Sequence, residues 1–408
     1  MIRCTRREPG VAARLVTLFL WLAPVFYHAA AIVVTWSHAP ALQVYLIVIT
    51  ALGLLATTDP HRGWLRLILL VAAYGPFLAY VSAGSRASAV TTNLITAVAL
   101  AVLHFVGLLD RSARQGRHLA SPDFLVTHVA GIGLFGILSQ IVRPAHADWQ
   151  GAIAALLALA ACGLWFFLDS RDRPAALNAA GLAFTLVALA ISVQVEGRLV
   201  VIGWGVEGAV AAWFGLRVAN GGFRVGGLVL WAMAAARLTD GYFTTPADFT
   251  VIVNDRSLAT LTLVVLAYGL ARAWRSRGHD FAGALDRLCP DALHFAATAL
   301  TLQWIYGETT SYWALRSTLP QVRFYEQLTL SLSVAAYAAV LVVAGLRLAL
   351  PSLRWIGMAV MGLTVVKVFV LDFSELGGIF RVLGFLVVGV ILVAVSYLYQ
   401  RRSGDSST

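Results

Sequence analysis

Two ionisable residues inside long apolar runs are the strongest chemical signals in this sequence. Lys367 is the only lysine among 30 basic residues, and it lies within an apolar run near the C-terminus. Glu207, in the segment WGVEG, lies near the middle of another apolar run. A charged side chain at membrane depth is costly, and it usually faces the interior of the protein or a water-filled cavity. Both residues are therefore candidates for binding a substrate or a proton.

Each of these two residues also has a structural interpretation. Glu207 can form an ion pair or a hydrogen bond between helices, since the small residues on its face allow a close approach. Lys367 lies near the outer end of its run, so its long side chain can reach the headgroup region. A lysine in an apolar setting can instead bind an anionic headgroup or exchange a proton. Because every other cation is an arginine, the sequence favours a function for Lys367.

Several charged residues near the ends of the apolar runs are further candidates. Arg381 follows the turn after Lys367 and could join it in a cationic site for phosphate or carboxylate. Arg237 and Asp240 have the i,i+3 spacing that predicts a local ion pair. The carboxylates outside the runs collect in loops predicted to face outward, and this makes the extracytoplasmic side the expected working face. These carboxylates are Asp240, Asp248, Asp255, Glu308, Asp372 and Glu375.

Two histidines could form a site between neighbouring helices. His104 and His128 lie at similar depth in the fourth and fifth apolar runs, and a short loop joins these runs. One interpretation is a metal or proton site, and the other is that each histidine bonds a neighbouring helix. Neither HxxH nor HxxxH spacing occurs, so the sequence favours the second. His28 and His294 show no evident partner in the sequence. The sequence predicts no metal and no cofactor.

The elements that must position these residues are membrane-spanning helices. The 408 residues are 60% hydrophobic and only 12% charged, which excludes a soluble globular protein. An apolar run of about 17 to 25 residues can cross the hydrocarbon core of a bilayer. The first run is expected to be a retained helix rather than a cleaved signal peptide. The sequence thus predicts an all-α polytopic membrane protein with about fourteen spans, near 11–35, 41–57, 64–84, 89–110, 123–142, 149–169, 175–194, 198–217, 223–239, 256–274, 290–307, 325–346, 352–372 and 378–400.

The arginines predict the orientation of these helices. With a cytoplasmic N-terminus, alternate loops place twenty-one arginines on one side of the membrane and six on the other. The positive-inside rule assigns the arginine-rich side to the cytoplasm, so both termini are predicted to be cytoplasmic. This distribution also explains the net charge of +10 without nucleic acid as a partner.

A repeated pattern occurs in the second half of the chain. The segment GLR at 215–217 is followed by Arg224, Gly227 and Arg237, and GLR at 345–347 is followed by Arg354, Gly357 and Lys367 at the same spacing. We therefore predict one transmembrane domain over residues 1–408 that contains two parallel repeat units, 198–274 and 325–402. Parallel repeats occur in transporters, with binding sites near the interface of the repeats. The alternative is a chance alignment of helices that are bounded by arginines.

The last 60 or so residues resemble a family of bacterial membrane proteins. The residues that carry the resemblance are Arg354, Gly357, LTVVKVFVLDFSEL at 363–376, Arg381, Phe385, Gly389 and SYLYQRR at 396–402, with a weaker likeness at 204–217. This pattern is similar to domain-of-unknown-function family 2339 (DUF2339). The resemblance implies a multi-pass protein of the bacterial cytoplasmic membrane, but it implies no reaction.

Three functions from different classes fit the sequence. The first is a transporter or flippase-like carrier, favoured by the ionisable residues inside the membrane and the predicted repeat. The second is a membrane-embedded enzyme that modifies an envelope lipid or glycan at the outer face. The third is a non-catalytic assembly protein. The sequence favours the carrier and leans against an enzyme, because the outer loops lack a recognisable catalytic motif. The predicted partners are the lipid bilayer and a small-molecule or lipid-linked substrate.

Overall fold

The computed structural model describes residues 25–56, 63–83, 89–115, 121–240, 242, 244–245, 249–277 and 283–368, and positions 386, 389, 390 and 393. The side chains at 63, 108–115, 121, 122, 284 and 285 are outside this description.

The described residues form thirteen α-helices and no strand. The helices are α1 Val25–Thr35, α2 Ala39–Ala56, α3 Gly63–Ser82, α4 Val90–Gln115, α5 Ser121–Val142, α6 Gln150–Asp169, α7 Arg173–Gln194, α8 Leu199–Arg217, α9 Gly221–Thr239, α10 Asp255–Arg277, α11 Ala284–Ala314, α12 Val322–Arg347 and α13 Pro351–Lys367. Nine of them, all except α1, α9, α11 and α13, are long and apolar enough to cross a bilayer. The predicted all-α polytopic membrane fold is confirmed.

The observed helices correspond one to one with the first thirteen predicted spans. Most of the last predicted span, 378–400, and the beginning of the first lie outside the described residues. Large apolar side chains cover the outward faces of several helices, where lipid would contact them; examples are Leu55, Phe166, Val265 and Leu363. Packing contacts divide the chain into two compact units, Met1–Gln194 and Val195–Thr408. The single domain over residues 1–408 stays a prediction.

The first unit contains α1 to α7. Its main core joins α2, α3, α4 and α5 through residues such as Leu46, Phe77 and Ile137. A buried ion pair between Arg66 and Asp123, 2.6 Å apart, connects the beginning of α3 to the beginning of α5. The hairpin of α6 and α7 packs closely through small alanines, which permit a short distance between the helix backbones.

The second unit contains three successive helical hairpins. They are α8–α9, α10–α11 and α12–α13, and the two helices of each hairpin pack on each other. In addition, α10 packs on α8 and α9, whereas α11 packs on α12 and α13. The hairpin α10–α11 is therefore central in this unit, with one of the other two hairpins on each side.

The first and third of these hairpins share the same local geometry at the positions that the sequence repeat aligns, such as Gly215 and Gly345. A Cβ atom on Gly215 would lie 2.6 Å from the backbone nitrogen of Arg224, and one on Gly345 would lie 2.6 Å from that of Arg354. In both connections an alanine has a positive φ, 55° at Ala219 and 52° at Ala349. The next residue donates its N–H to the corresponding glycine carbonyl, from Asn220 to Gly215 and from Leu350 to Gly345.

The close helix contacts of the two hairpins also correspond. Gly227 approaches the backbone of Gly208 and Ala212. Gly357 approaches Ala338 and Val342, which the repeat aligns with Gly208 and Ala212. Both glycines let two helix backbones come closer than any larger residue allows. This agreement in packing and in backbone conformation supports the predicted repeat, which stays a proposal.

Candidate functional site between α11 and the α12–α13 hairpin

Helix α11 has two different buried faces. Leu293, Ala297 and Leu300 follow helical spacing and pack in the apolar core that α11 shares with α8, α9 and α10. One residue further along, His294, Thr298 and Thr301 form a second buried stripe. Leu302, on the same side as Thr298, packs in a cluster with residues of α12 and α13. The polar stripe of α11 therefore faces the third hairpin.

The polar stripe is extended by residues of the neighbouring helices. His294 Nδ1 lies 3.0 Å from Oγ of Ser352 in α13. Thr298 hydrogen-bonds the side chain of Tyr268 in α10, and the Tyr268 hydroxyl lies 3.4 Å from that of Tyr337 in α12. We call the set His294, Thr298, Thr301, Tyr268, Tyr337 and Ser352 the polar seam. The two threonines also donate to the carbonyls of His294 and Ala297, at 2.9 and 2.8 Å.

Each end of the second unit carries a cluster of charged side chains. At the predicted outer end, Arg256 of α10 is 2% exposed and lies 2.9 Å from Glu308 of α11. Arg256 also donates to the carbonyls of Tyr242 and Gly307 and to Ser311. Glu308 accepts from the N–H of Ile252 and from Asn254. We call the Arg256–Glu308 pair with these partners the outer clamp.

The outer clamp also contains a buried aromatic ring. The Arg256 guanidinium lies 5.2 Å from the centroid of the Tyr242 ring, within the range of a cation–π contact. Burial raises the pKa of Tyr242 above its usual value, although nearby Arg256 and the hydrogen bond with Thr260 oppose this shift. The phenol is therefore neutral at physiological pH, as a cation–π partner should be.

At the predicted cytoplasmic end, two ion pairs connect the hairpins. Arg224 of α9 pairs with Asp286 of α11, which also accepts from the indole N–H of Trp274 in α10. Arg275 of α10 lies 2.7 Å from Asp291 of α11. The second pair is partly exposed and lies next to the polar seam.

Glu207 lies near the middle of α8 and is only 6% exposed. Both of its carboxylate oxygens are out of contact with solvent. The adjacent Gly208 packs on the backbone of α9, and Gly205 packs on Leu263 of α10. The glycines on either side of Glu207 thus pack on α9 and α10, and Glu207 itself lies at a depth where ionisable groups are usually functional.

Lys367 is the last residue of α13, and its Nζ donates to Oγ of Ser331 in α12 at 2.9 Å. Ser331 is 5% exposed, so the ammonium is directed into the third hairpin. The described contacts place Lys367 with α12, and the glycines beside Glu207 pack on α9 and α10. That Lys367 and Glu207 share a water-filled cavity stays a prediction.

The remaining charged candidates fall into two groups. Arg237 and Asp240 lie 2.6 Å apart with side chains 54% and 72% exposed, and such a surface pair contributes at most about 1 kcal/mol. Asp255 is the first residue of α10. Asp372 and Arg381 lie outside the described residues.

The two candidate histidines of the first unit, His104 and His128, each bond a carbonyl of their own helix. The Nδ1 atom of His104 lies 2.8 Å from the Leu100 carbonyl, and that of His128 lies 3.0 Å from the Phe124 carbonyl. His104 also packs edge-on against Tyr74. Among the described residues, no group of three or more His, Cys, Asp or Glu side chains is placed to hold a metal ion.

Sequence reasoning found the charged residues but missed the polar seam. His294 has a partner, Ser352, which lies 58 residues further along the chain. Arg256, which the sequence presented only as an outer loop cation, is part of a buried ion pair. The spacing of His294, Thr298 and Thr301 at i, i+4 and i+7 was the available signal, since these positions share one face of a helix.

Comparison with known proteins supports the family resemblance over part of the chain. Residues 222–402 match a family described as predicted membrane proteins, DUF2339. This match begins in α9 and extends well beyond the C-terminal segment in which the sequence showed the resemblance. It includes α10 to α13 and so the whole polar seam. No curated protein and no solved structure matches the chain.

Proposed function

We propose that this chain is a carrier of the bacterial cytoplasmic membrane that moves a small or lipid-linked envelope substrate. The observation that supports this function best is the polar seam, a buried line of polar side chains between the central and third hairpins. Polar residues at membrane depth usually face a pathway or one another. Their concentration on one side of α11, opposite an apolar packing face, suits a route between two helical elements that separate and close.

The arrangement of the hairpins suits alternating access. Two similar hairpins, α8–α9 and α12–α13, flank α10–α11, as repeats in many carriers surround a shared central site. Tyr337 of α12 belongs to the polar seam, and the predicted repeat aligns this residue with Glu207 of α8. The repeats thus offer a polar residue at the same position near the middle of α8 and α12.

The two ends of the unit supply the contacts that a carrier has to break in turn. The outer clamp closes the predicted extracytoplasmic end of α10 and α11, and the Arg275–Asp291 pair lies at the opposite end. Lys367 lies in the outer half of the third hairpin, where its ammonium can bind a phosphate or carboxylate of the substrate. We assign Arg381 to the same anion site.

An enzyme at the outer face draws less support. Glu308 accepts hydrogen bonds from Arg256, Asn254 and the Ile252 backbone, so its carboxylate is already engaged in the outer clamp. A general acid or base must instead reach a substrate proton. A purely structural protein has little reason to retain Glu207 at membrane depth.

The decisive experiment measures access to the seam from the two sides of the membrane. The three cysteines are replaced by alanine, and Thr301→Cys is introduced as a reporter in the seam. Leu300→Cys is the matched control, because Leu300 lies at the same depth on the apolar face of α11. Both variants are treated with a membrane-impermeant maleimide in right-side-out and inside-out vesicles.

In a carrier, Thr301→Cys reacts from both sides, because the seam opens alternately, whereas Leu300→Cys reacts from neither side. Reaction of the seam reporter from neither side would contradict the proposal and favour a structural role. Reaction from the outer side alone would also contradict it, because a fixed outward cleft is the arrangement of an enzyme.

A further inference from the structure

One buried histidine at the predicted cytoplasmic end of the polar seam joins three helices. His294 is 3% exposed, and its Nδ1 atom lies 3.0 Å from Oγ of Ser352 in α13. Arg275 of α10 donates from Nη2 to the same hydroxyl oxygen at 2.9 Å. A single hydroxyl group thus connects the central hairpin, through both of its helices, to the third hairpin.

This junction lies close to cytoplasmic water. The carboxylate of Asp291, about one turn before His294 in α11, is 58% exposed and pairs with Arg275 at 2.7 Å. Arg275 itself is 31% exposed. A proton from the aqueous phase therefore has only a short distance to travel before it reaches the imidazole.

On its other side, the junction continues into the seam. The His294 ring lies 5.8 Å from the ring of Tyr268, and its carbonyl accepts from Thr298 at 2.9 Å. Thr298 and Tyr268 are hydrogen-bonded, and Tyr268 lies next to Tyr337. A change at His294 can consequently alter contacts as far as the middle of α12.

We infer that His294 binds a proton that controls the opening of this carrier at its cytoplasmic end. The inference rests on the proposed function and adds the ion that regulates it. Histidine is the side chain whose ordinary titration lies between about pH 5 and 8, so it can load and release a proton under physiological conditions. The proton comes from cytoplasmic water, forms a bond to the imidazole nitrogen Nδ1, and returns to water when that bond breaks.

Protonation reverses the hydrogen bond at the junction. In the neutral tautomer that carries its proton on Nε2, the Ser352 hydroxyl accepts from Arg275 and donates its one proton to Nδ1. After protonation Nδ1 can only donate, so Ser352 receives from two cationic donors. Because both cations bond the same oxygen, they cannot be more than about 6 Å apart and repel each other.

The groups around His294 determine how the junction responds. Burial and the Arg275 guanidinium oppose the new charge, whereas Asp291 favours it. Tyr268 of α10 and Tyr337 of α12 are neutral phenols, and α13 contributes the hydroxyl of Ser352. Proton binding therefore weakens the contact between the central and third hairpins at the cytoplasmic end, and this opens the seam toward the cytoplasm.

The test uses the Thr301→Cys reporter in inside-out vesicles across a range of pH. The rate is divided by that of Ser276→Cys, an exposed position at the cytoplasmic end of α10, to remove the pH dependence of the thiol itself. We expect the corrected rate to rise about tenfold as the pH falls from about 8 to about 5, because the imidazole gains its proton only as the pH falls.

His294→Gln is the decisive variant, since glutamine can still bond Ser352 but does not titrate in this range. It should give a rate independent of pH, whereas His146→Gln, an exposed histidine of the first unit, should keep the rise. Ser352→Ala should give fast reaction at every pH, because the junction is absent.

If the Thr301→Cys reporter reacts from both sides and its corrected rate rises at low pH in His294→Gln as it does with His294 present, the role of His294 is overturned and the carrier proposal stands. A reporter that reacts from neither side would instead overturn the carrier. The two failures are therefore distinguishable in one set of measurements.

Discussion

Replacing Gly227 with alanine tests the close contact that holds α8 against α9. A Cβ atom at this position would lie 2.5 Å from the Gly208 carbonyl oxygen and 2.9 Å from Cα of Ala212. Non-bonded carbon atoms prefer separations of about 3.5 to 4.0 Å. Because both neighbouring atoms belong to the backbone, they cannot rotate away, and the two helices have to move apart.

The size of the effect follows from two opposing contributions. Overpacking of this kind costs about 1 to 3 kcal/mol, and alanine recovers about 1 kcal/mol of helix propensity. The net loss is up to about 2 kcal/mol. Gly226→Ala is the matched control, because a Cβ atom there has no neighbour within 4 Å, and it should stabilise the helix by up to about 1 kcal/mol.

The two variants can be compared by thermal unfolding in detergent, followed through tryptophan fluorescence. The two variants differ by the overpacking cost of about 1 to 3 kcal/mol, so at about 2 to 4 °C per kcal/mol for a unit of this size their Tm values should differ by roughly 2 to 12 °C. The same comparison in the third hairpin, Gly357→Ala against Gly362→Ala, should have the same sign but a smaller size. The nearest backbone atoms to a Cβ on Gly357, the Val342 nitrogen and the Ala338 oxygen, lie at 2.9 and 3.0 Å, farther than the backbone atoms around Gly227.

A Gly227→Ala protein with a Tm equal to or above that of the wild type would refute this account of the hairpin. So would an equal loss in Gly226→Ala, because it would show that the helix responds to any added methyl group. An effect in the first hairpin with none in the third would argue against the structural repeat.

Two further predictions concern buried ion pairs. Arg256→Met should destabilise the second unit by about 3 to 5 kcal/mol, because it leaves the Glu308 carboxylate buried without its cation. In a double-mutant cycle measured by thermal unfolding, the double variant Arg256→Met/Glu308→Leu should recover much of that loss. If the effects of the two substitutions simply add, the outer clamp does not stabilise the unit as an ion pair. Asp123→Asn should lower the stability of the first unit by a similar amount, about 3 to 5 kcal/mol, since its partner Arg66 is 1% exposed. Arg237→Gln, at the exposed pair, should change the stability by less than about 1 kcal/mol. Equal losses of stability in these two variants would show that burial does not determine the cost of breaking an ion pair.

The sequence predicted the helices well because the bilayer sets both their length and their composition. Apolar runs that alternate with arginine loops leave few other arrangements for the backbone. The main differences occur at helix ends. Helix α11 runs over Ala284–Ala314, although the predicted span was 290–307. Glu308 was interpreted as part of an outer loop, but in the structure it lies within α11, as does Asp286, and both form ion pairs with neighbouring helices.

The candidate site was harder to predict because its contacts join distant parts of the chain. Ser352 meets Arg275 across 77 positions and His294 across 58. A single sequence does not show such pairings. Serine and threonine also interrupt an apolar run much less clearly than a lone lysine does. The sequence did identify Glu207 as buried at mid-helix, since a carboxylate there breaks the apolar pattern.

The differences between the two similar hairpins indicate which part of the unit has become specialised. The shared positions are those that hold two helices together, the glycines and the connection with its positive φ. The polar positions differ, because Val201 corresponds to Ser331 and Arg237 to Lys367. In the first copy the cation pairs with Asp240 at the surface, whereas in the second it bonds a buried hydroxyl. If both copies served only to build the bundle, there would be no reason for the second alone to turn its cation inward. Because it does so in the same hairpin that contacts the polar seam, we propose that α12 and α13 are the moving part of the proposed carrier.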